Sequence, residues 1–290
     1  MTQRLVAELQ LDRVAARMAT AAAGRRLAHE AQRHLQAGMP QLAVFAFDHV
    51  GRSIALWGRY EREELDLLMR AATPLVDRAG VCLDIGANVG NHALFFAEHF
   101  AQVLAFEPNP RTFALLQFNA ALRGNVRCFD FGLSDADGLA TLTVPRDNAG
   151  MATLHGGSGD AVACQLRRLD DLELVASQRV SLIKIDVEGH EAAVLRGARG
   201  LLLRDRPLVV FEQAAAGVRS DGGCDVMDLL RDCGYSRWWT MEQLPDQGPG
   251  RWRPLTLLRR LVGGERLRLL EVDRLAPRFH SMVVALPAPK

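Results

Sequence analysis

The chain has no apolar run that approaches the roughly 20 residues of a membrane-spanning helix, so we expect no transmembrane segment. The N-terminus also lacks the compact apolar core of a signal peptide, because charged residues interrupt it at Glu8, Asp12, Arg13 and Arg17. These two absences favour a cytoplasmic location.

An excess of one charge is missing as well. The 35 basic and 34 acidic residues leave a formal net charge of +1 at pH 7. Proteins that bind nucleic acid or a charged membrane surface usually carry a clear basic excess or a basic stretch. We therefore expect no nucleic-acid partner and no membrane-surface partner.

Cysteine is scarce and lysine is almost absent. The five cysteines are odd in number and form no C-x-x-C pair, which argues against a disulfide framework and against a zinc site. We expect buried, reduced thiols. Only two of the 35 basic residues, Lys184 and Lys290, are lysine, and the others are arginine.

The 290 residues are 49% hydrophobic and 24% charged, which is enough for one large domain with an extension. We assign residues 1–60 to a helical N-terminal extension, broken near Gly24, with a short hairpin at 42–57 that turns at Gly51 and Arg52. The extension is expected to cap the domain, with a lid or a homodimer contact as the alternatives. Residues 61–290 form the main domain, and the arginine-rich stretch 251–274 is interpreted as a solvated, partly disordered face.

From residue 80 onward apolar runs alternate with helical patterns, which is typical of an α/β fold with a mostly parallel sheet. The buried strands are predicted at about 81–85, 103–106, 126–131, 180–185 and 207–211, and a last strand at 281–286. A helix at about 191–203 follows the strand at 180–185. Two further strands, at 139–144 and 162–166, interrupt the alternation and are predicted to project over the binding crevice.

A glycine-rich turn follows the first buried strand, in the segment from Val81 to Gly90. Gly86 and Gly90 permit positive φ angles and a close approach of a ligand to the backbone. Asp84 disfavours a pyrophosphate and favours a ligand that carries an ammonium group. Glu107 ends the next strand, 23 positions further on, where an acid commonly binds ribose hydroxyls. The pair predicts an adenosyl ligand.

A charged cluster ends the strand at 180–185. Lys184, Asp186 and Glu188 share one face, because residues two apart on an extended segment point the same way. Lysine here is notable in a chain that otherwise uses arginine, since only the ammonium readily shifts its pKa. His190 is a candidate general base or a helix-capping side chain. The spacing would also suit metal ligands, but these carboxylates need no ion and we predict no metal site.

With these residues the sequence resembles the FkbM-type family of S-adenosylmethionine-dependent methyltransferases. The similar segments are LDIGANVGNHALFFA, VLAFEPNPRTFALLQFNA, GLSDADG, LIKIDVEGHEAAVLRGA and FHSMVVALP, in that order between residues 81 and 286. The resemblance implies a class I methyltransferase fold: a Rossmann-like, seven-stranded, mostly parallel sheet with helices on both faces and an antiparallel last strand.

The resemblance also implies roles for individual residues. The methionine part of S-adenosylmethionine is expected at Asp84, Gly86, Asn88 and Gly90, the ribose at Glu107, and the adenine near Leu133 and Ser134. Asn91 and Asn109, each at the start of a helix, are assigned to the same cofactor site. Asp186 is expected to line the methyl-transfer site, with Lys184, Glu188 and His190 beside it.

The expected reaction is O-methylation of a hydroxyl on a sugar, a glycan or a secondary metabolite, with a base from Asp186 or His190. Two alternatives remain open at this point. A nicotinamide-dependent oxidoreductase shares the fold and the acid on the second strand, although the turn reads G-A-N-V-G rather than G-x-G-x-x-G. A non-catalytic descendant that only binds the cofactor is the other alternative.

Overall fold

The structure is a computed structural model that describes residues 14–46, 48–145, 149–245 and 265–289. Within these ranges the chain forms nine α-helices and eleven strands. The helices are α1 (Val14–Gln36), α2 (His49–Trp57), α3 (Arg62–Ala72), α4 (Asn91–Phe96), α5 (Pro110–Ala120), α6 (Glu173–Ala176), α7 (Glu191–Gly197), α8 (Arg199–Asp205) and α9 (Asp225–Asp232). The strands are β1 (Val81–Ile85), β2 (Gln102–Phe106), β3 (Val126–Phe129), β4 (Gly132–Ser134), β5 (Gly138–Val144), β6 (Asp160–Arg168), β7 (Val180–Ile185), β8 (Leu208–Gln213), β9 (Tyr235–Pro245), β10 (Glu265–Val272) and β11 (His280–Pro287).

Eight of these strands form one sheet, in the order β10-β9-β11-β8-β7-β1-β2-β3. Strands β8, β7, β1, β2 and β3 are parallel, and β11 pairs antiparallel with both β8 and β9. The chain runs outward from β1 to β3 and then returns to β7 on the other side of β1. This reversal opens a crevice at the carboxyl ends of β1 and β7, where open α/β sheets bind their ligands.

The parallel strands are apolar throughout because both faces of the sheet are covered. On one face Leu83, Ile183 and Val209 pack with helices α6 to α9. On the other face Cys82 and Leu182 pack with helices α3 to α5. Neighbouring residues of a strand point to opposite faces, so each strand contributes to both cores.

The two strands predicted outside the alternation are confirmed, and they belong to a separate three-stranded sheet of order β4-β6-β5. β5 runs antiparallel to β6 from Gly138 to Val144. Leu142, Val144 and Cys164 form a small apolar cluster beneath this sheet. We call β4, β5, β6 and the described residues between them the arm.

The predicted fold is confirmed, but the predicted strand number of seven is wrong, since the central sheet has eight. The additional strand β10 pairs antiparallel with β9 and lies within the stretch 251–274, which had been interpreted as a solvated, partly disordered face. Arg266 and Arg268 are exposed, while Leu267 and Leu269, which alternate with them, are half-buried. This alternation is that of an edge strand with one covered face. Residues 251–264 lie outside the described residues.

The hairpin predicted at 42–57 is also wrong, because α2 occupies most of it. Asp48 begins this helix by accepting hydrogen bonds from the main-chain nitrogens of Val50 and Gly51, and Gly58 ends it at φ 80°. Gly51, predicted to be a turn residue, lies inside the helix, and glycine is required there because a Cβ atom would overlap the carbonyl oxygen of Phe45. Phe47 lies outside the described residues.

Two helix predictions need correction. The predicted break near Gly24 is absent, and α1 continues through it because the Ala-rich flanks are strong helix formers. Residues 1–13, assigned to the same helical extension, lie outside the described residues. The helix predicted at 191–203 is divided into α7 and α8 around Ala198.

All five cysteines are free thiols, and all but Cys128 are buried. In the described part of the chain, no helix combines the length and the apolar character that crossing a bilayer requires.

Candidate active site

A cavity of about 430 Å³ lies at the carboxyl ends of β2, β1, β7 and β8. These four strands are neighbours in the sheet, and residues next to their carboxyl ends form a row: Glu107, Gly86, Asp186 and Glu212. Neighbouring strands are spaced about 4.8 Å apart, so the row spans about 14 Å. That length suits a cofactor and an acceptor side by side.

Two other parts of the chain close the cavity. His49 and Val50 of α2, with Tyr60, line it from the N-terminal side. The arm lines the cavity as well, through Leu142, Leu166 and residues of the segment 150–154. The predicted position of the arm over the crevice is therefore confirmed.

The glycine turn after β1 is shaped by close backbone approaches. Gly86 has φ 78°, and a Cβ atom there would overlap the main-chain carbonyl oxygen of Asp186. Gly90 has φ 91° and starts α4, and a Cβ atom on it would lie 2.9 Å from Leu116 Cδ1. The turn thus needs glycine at both positions, since side chains rarely adopt these angles and have no room there.

The side chain of Glu107 is hydrogen-bonded to the backbone of this turn. Its Oε2 accepts a hydrogen bond of 3.0 Å from the main-chain nitrogen of Asn88, and its Oε1 accepts one of 2.8 Å from that of Asn109. Burial raises the pKa of Glu107 to about 7, although both hydrogen bonds oppose the rise. Each oxygen keeps capacity for one more donor, as a ribose diol would supply.

Two buried amide atoms beside Glu107 have no hydrogen-bond partner among the described residues: Oδ1 of Asn88 and Nδ2 of Asn109. Asn88 also has a positive φ of 51° and lines the cavity. Buried polar atoms are usually paired, and an unpaired one at a cavity is commonly satisfied by a ligand or by water. Asn109 lies behind the cavity wall, where its Oδ1 starts α5 by accepting from the nitrogen of Arg111.

Lys184 joins two carboxylates under the floor of the cavity. Its Nζ lies 2.9 Å from Oδ2 of Asp186 and 3.9 Å from Oδ1 of Asp84. Burial alone lowers the pKa of Lys184, but the two carboxylates outweigh burial and hold the pKa above its ordinary value. Burial raises the pKa of Asp186, but the Lys184 charge and hydrogen bond outweigh it, so that this pKa is lowered.

Asp84 itself does not reach the cavity. Its side chain is fully buried, neither carboxylate oxygen has a hydrogen-bond partner among the described residues, and burial raises its pKa against the effect of Lys184. Its register partner on β7 is Lys184. The geometry therefore makes Asp84 a support for Lys184 rather than a wall of the cavity.

The loop after β7 presents Glu188 and His190 to the cavity. Glu188 has φ 50°, and burial together with Asp186 and Glu191 raises its pKa to about 7. His190 Nε2 lies 2.9 Å from Oγ of Ser134, and burial followed by the charge of His155 lowers its pKa. His190 is therefore largely neutral at pH 7 and joined to the arm.

The residues predicted from sequence divide into two groups. Those that line the cavity are Gly86, Asn88, Asn91, Glu107, Leu133, Lys184, Asp186, Glu188 and His190. Asp84, Gly90, Asn109 and Ser134 instead contact lining residues from behind. The cofactor and catalytic roles of both groups stay predictions.

Several residues of this site were not predicted, and three of them bear on its chemistry or shape. Glu212 is the next-to-last residue of β8 and lines the cavity, and burial followed by the charges of Asp186 and Glu188 raises its pKa to about 8. The rule applied to Glu107, an acid at the end of a parallel strand, would have found it. Glu191 is buried, and its Oε1 accepts from the nitrogens of Val187 and Gly189, which shapes the loop. No sequence signal distinguishes it from an ordinary helix-start acid.

Tyr60 is the third. Asn91 holds its backbone through two 3.0 Å hydrogen bonds, accepting from the Tyr60 nitrogen and donating to the Tyr60 oxygen. The ring lines the cavity beside His49 and His92. Burial, and then the charges of Glu61, Asp186 and Glu212, raise the pKa of Tyr60 above its ordinary value, so the phenol stays protonated. Only the tertiary structure brings Tyr60 to this site.

The sheet order, the cavity at the topological switch and the acid at the end of β2 define a class I methyltransferase fold, which is Rossmann-like. The family model described as "Methyltransferase FkbM domain" matches residues 84–237, more than half of the chain. The chain belongs to the FkbM methyltransferase family.

The chain is similar to two curated methyltransferases. It is 34% identical over 148 residues to the hexuronic acid methyltransferase AglP of Haloferax volcanii, covering 50% of this chain and 59% of that protein. It is 30% identical over 147 residues to the 2-O-methyltransferase NoeI of Sinorhizobium fredii, covering 43% of this chain and 60% of that protein. The match thus spans less than two thirds of either relative.

Among solved structures, the FkbM methyltransferase of Methylobacillus flagellatus KT is 17% identical, with a TM-score of 0.44. That match covers 90% of this chain and 58% of the other.

Proposed function

We propose that this protein transfers a methyl group from S-adenosylmethionine to a hydroxyl oxygen of a sugar, a glycan or a secondary metabolite. The observation that carries the proposal is the row of strand-end residues in one cavity, with Glu107 at one end and Asp186, Glu188 and Glu212 at the other. The names of AglP and NoeI, one a methyltransferase of a hexuronic acid and the other a 2-O-methyltransferase, support a sugar-like acceptor.

The residues around the glycine turn fit the cofactor. Glu107 would accept hydrogen bonds from the two ribose hydroxyls, and the turn presents the backbone of Gly86 to the cavity without a side chain. The unpaired Oδ1 of Asn88 would accept from a cofactor donor, and Leu133 would contact the adenine. When bound, S-adenosylmethionine supplies a methyl carbon on a positively charged sulfur.

Methyl transfer to oxygen forms a carbon–oxygen bond, breaks a carbon–sulfur bond and releases the hydroxyl proton. Asp186 is a poor base for that proton, because Lys184 occupies its Oδ2 and lowers its pKa. Glu188 lines the cavity with a pKa of about 7, close to the value that serves a general base at neutral pH. We assign the proton to a carboxylate oxygen of Glu188, and the orientation of the acceptor to Asp186.

Calorimetry with S-adenosylmethionine tests the cofactor part. Removing the Glu107 carboxylate in Glu107→Ala should weaken binding by at least about tenfold, because hydrogen bonds to a charged group contribute about 1.5–3 kcal/mol. Glu173→Ala is the matched control, since Glu173 is an exposed carboxylate on α6 outside the cavity lining. Absence of binding by the wild type at high micromolar ligand would contradict the proposed function.

Formation of S-adenosylhomocysteine with a panel of hydroxylated compounds tests the chemical part. We expect turnover with at least one sugar-like compound, and a large loss of kcat in Glu188→Gln with little change in cofactor affinity. Equal kcat in the variant would contradict the role of Glu188 as the base.

A further inference from the structure

The part of the cavity at the ends of β7 and β8 carries two carboxylates without partners. The side chains of Glu188 and Glu212 line it, and neither makes a hydrogen bond or an ion pair with any residue that the structure describes. Both are half-buried. A carboxylate that has lost part of its water is costly unless donors replace that water, so this region is suited to a ligand rich in donors.

No free cation balances these two groups within the described residues. Lys184 is the one lysine or arginine among the lining residues that the structure describes, and its ammonium is held between Asp186 and Asp84. His190 stays largely neutral because burial and His155 lower its pKa. The field at this end of the cavity therefore becomes negative as the two carboxyls ionise, Glu188 above about pH 7 and Glu212 above about pH 8.

The remaining lining here is neutral. The ring of Tyr60 and the side chains of Ala214 and Phe279 offer apolar contacts of the kind that the C–H groups of a ring compound make. Phe279 is 55% exposed and lies at the mouth of the cavity. A ring whose edges carry hydroxyl donors and whose faces are apolar would satisfy both kinds of wall.

We propose that the acceptor is an uncharged, hydroxyl-rich ring whose hydroxyls donate to Glu188 and Glu212, and that these two carboxylates exclude rings that carry a carboxylate of their own. This inference rests on the proposed methyl transfer and specifies its substrate class. The proposed acceptor differs in charge from the hexuronic acid that the name of the relative AglP specifies. Like-charge contacts in a partly desolvated site are a common means of rejecting a wrong partner.

Matched acceptor pairs test the inference. The methyl glycosides of glucose, galactose and mannose are each compared with the corresponding uronate, in which a carboxylate replaces the hydroxymethyl group at C6. The full-length protein is assayed with S-adenosylmethionine at pH 8, and kcat/KM is taken from S-adenosylhomocysteine formation. Binding of the same six compounds to the protein loaded with S-adenosylhomocysteine is measured in parallel. Calorimetry on the same preparation first establishes whether the cofactor binds.

We expect the best neutral ring to exceed its uronate by at least about tenfold in kcat/KM, a difference that corresponds to about 1.4 kcal/mol. In Glu212→Gln the ratio of kcat/KM between the neutral ring and its uronate should fall several-fold. Glu173→Gln makes the same chemical change outside the cavity and should leave this ratio unchanged. The comparison within the wild type decides the inference even where a variant folds poorly.

The possible failures are distinguishable. Absence of cofactor binding would overturn the proposed function itself. Cofactor binding together with equal or better use of uronates would overturn only the inference about charge. Cofactor binding without methylation or binding of any of the six rings would overturn the inference about the acceptor class and leave the cofactor site standing.

Discussion

Lys184 donates a hydrogen bond of 2.9 Å from its Nζ to Oδ2 of Asp186, at the end of β7. The Lys184 side chain is only 7% exposed, and the second carboxylate near it, Asp84, is fully buried. One ammonium thus serves both a cavity residue and a buried residue on the neighbouring strand. This arrangement gives a physical reason for a lysine at this position.

Replacing Lys184 by Met should destabilise the protein by about 3 kcal/mol, because it leaves Asp84 buried without a neighbouring cation. Urea unfolding at pH 7 measures the loss. The double variant Asp84→Asn/Lys184→Met should recover part of it, since the orphaned charge is then removed as well. A loss below about 0.5 kcal/mol in the single variant would contradict the structural role of this pair.

Glu107 should make the stability depend on pH. Its pKa rises from the ordinary 4.5 to about 7 in the folded protein, so the folded state prefers the protonated carboxyl. The stabilisation that the protonated Glu107 carboxyl gives the folded state is complete below pH 4.5, and it is lost as the pH rises to about 7. Over this window the linkage amounts to about 3 kcal/mol.

The difference in unfolding free energy between the wild type and Glu107→Gln isolates this linkage. Between pH 5 and pH 8, we expect the unfolding free energy of the wild type to fall by about 2–3 kcal/mol relative to that of the variant. The glutamine side chain in the variant cannot titrate, so other groups cancel in the comparison. A pH-independent difference would show that Glu107 ionises at its ordinary pKa.

The parallel sheet and the two ends of the cavity could be predicted from sequence because they depend on local patterns. Apolar runs that end in an acid, and a glycine turn that opens a helix, need no knowledge of the remainder of the fold. The position of Asp84 could not be predicted in this way. The sequence places it at the end of a strand, but its separation from the cavity depends on Lys184 of the neighbouring strand.

The errors have tertiary causes. Gly51 suggests a turn by its type, yet it is needed inside α2 for its contact with the backbone of Phe45. The arginines of β10 suggest a solvated segment, yet they occupy the exposed positions of an alternating edge strand. The homodimer and the cytoplasmic location stay predictions.

The rate of methyl transfer should rise with pH, because Glu188 must be ionised to accept the hydroxyl proton. Burial, Asp186 and Glu191 raise its pKa to about 7, and Lys184 opposes the rise. We expect kcat to increase about tenfold for each pH unit below 7 and to level off above 8. In Glu188→Gln the slope should disappear, while Glu173→Gln should keep it; a profile that is flat in the wild type would argue against a carboxylate base.

Asn91 was predicted to bind the cofactor, but both ends of its amide are occupied by the backbone of Tyr60. Asn91→Ala removes both hydrogen bonds and should cost about 1–3 kcal/mol of stability, with a several-fold increase in KM for the acceptor. The affinity for S-adenosylmethionine should change by less than about threefold if Asn91 acts through Tyr60. Tyr60→Phe is the matched control, because it keeps the backbone bonds and removes only the phenol hydroxyl. A loss of cofactor affinity in Asn91→Ala that equals the loss in Glu107→Ala, with an unchanged acceptor KM, would instead make Asn91 a direct cofactor ligand.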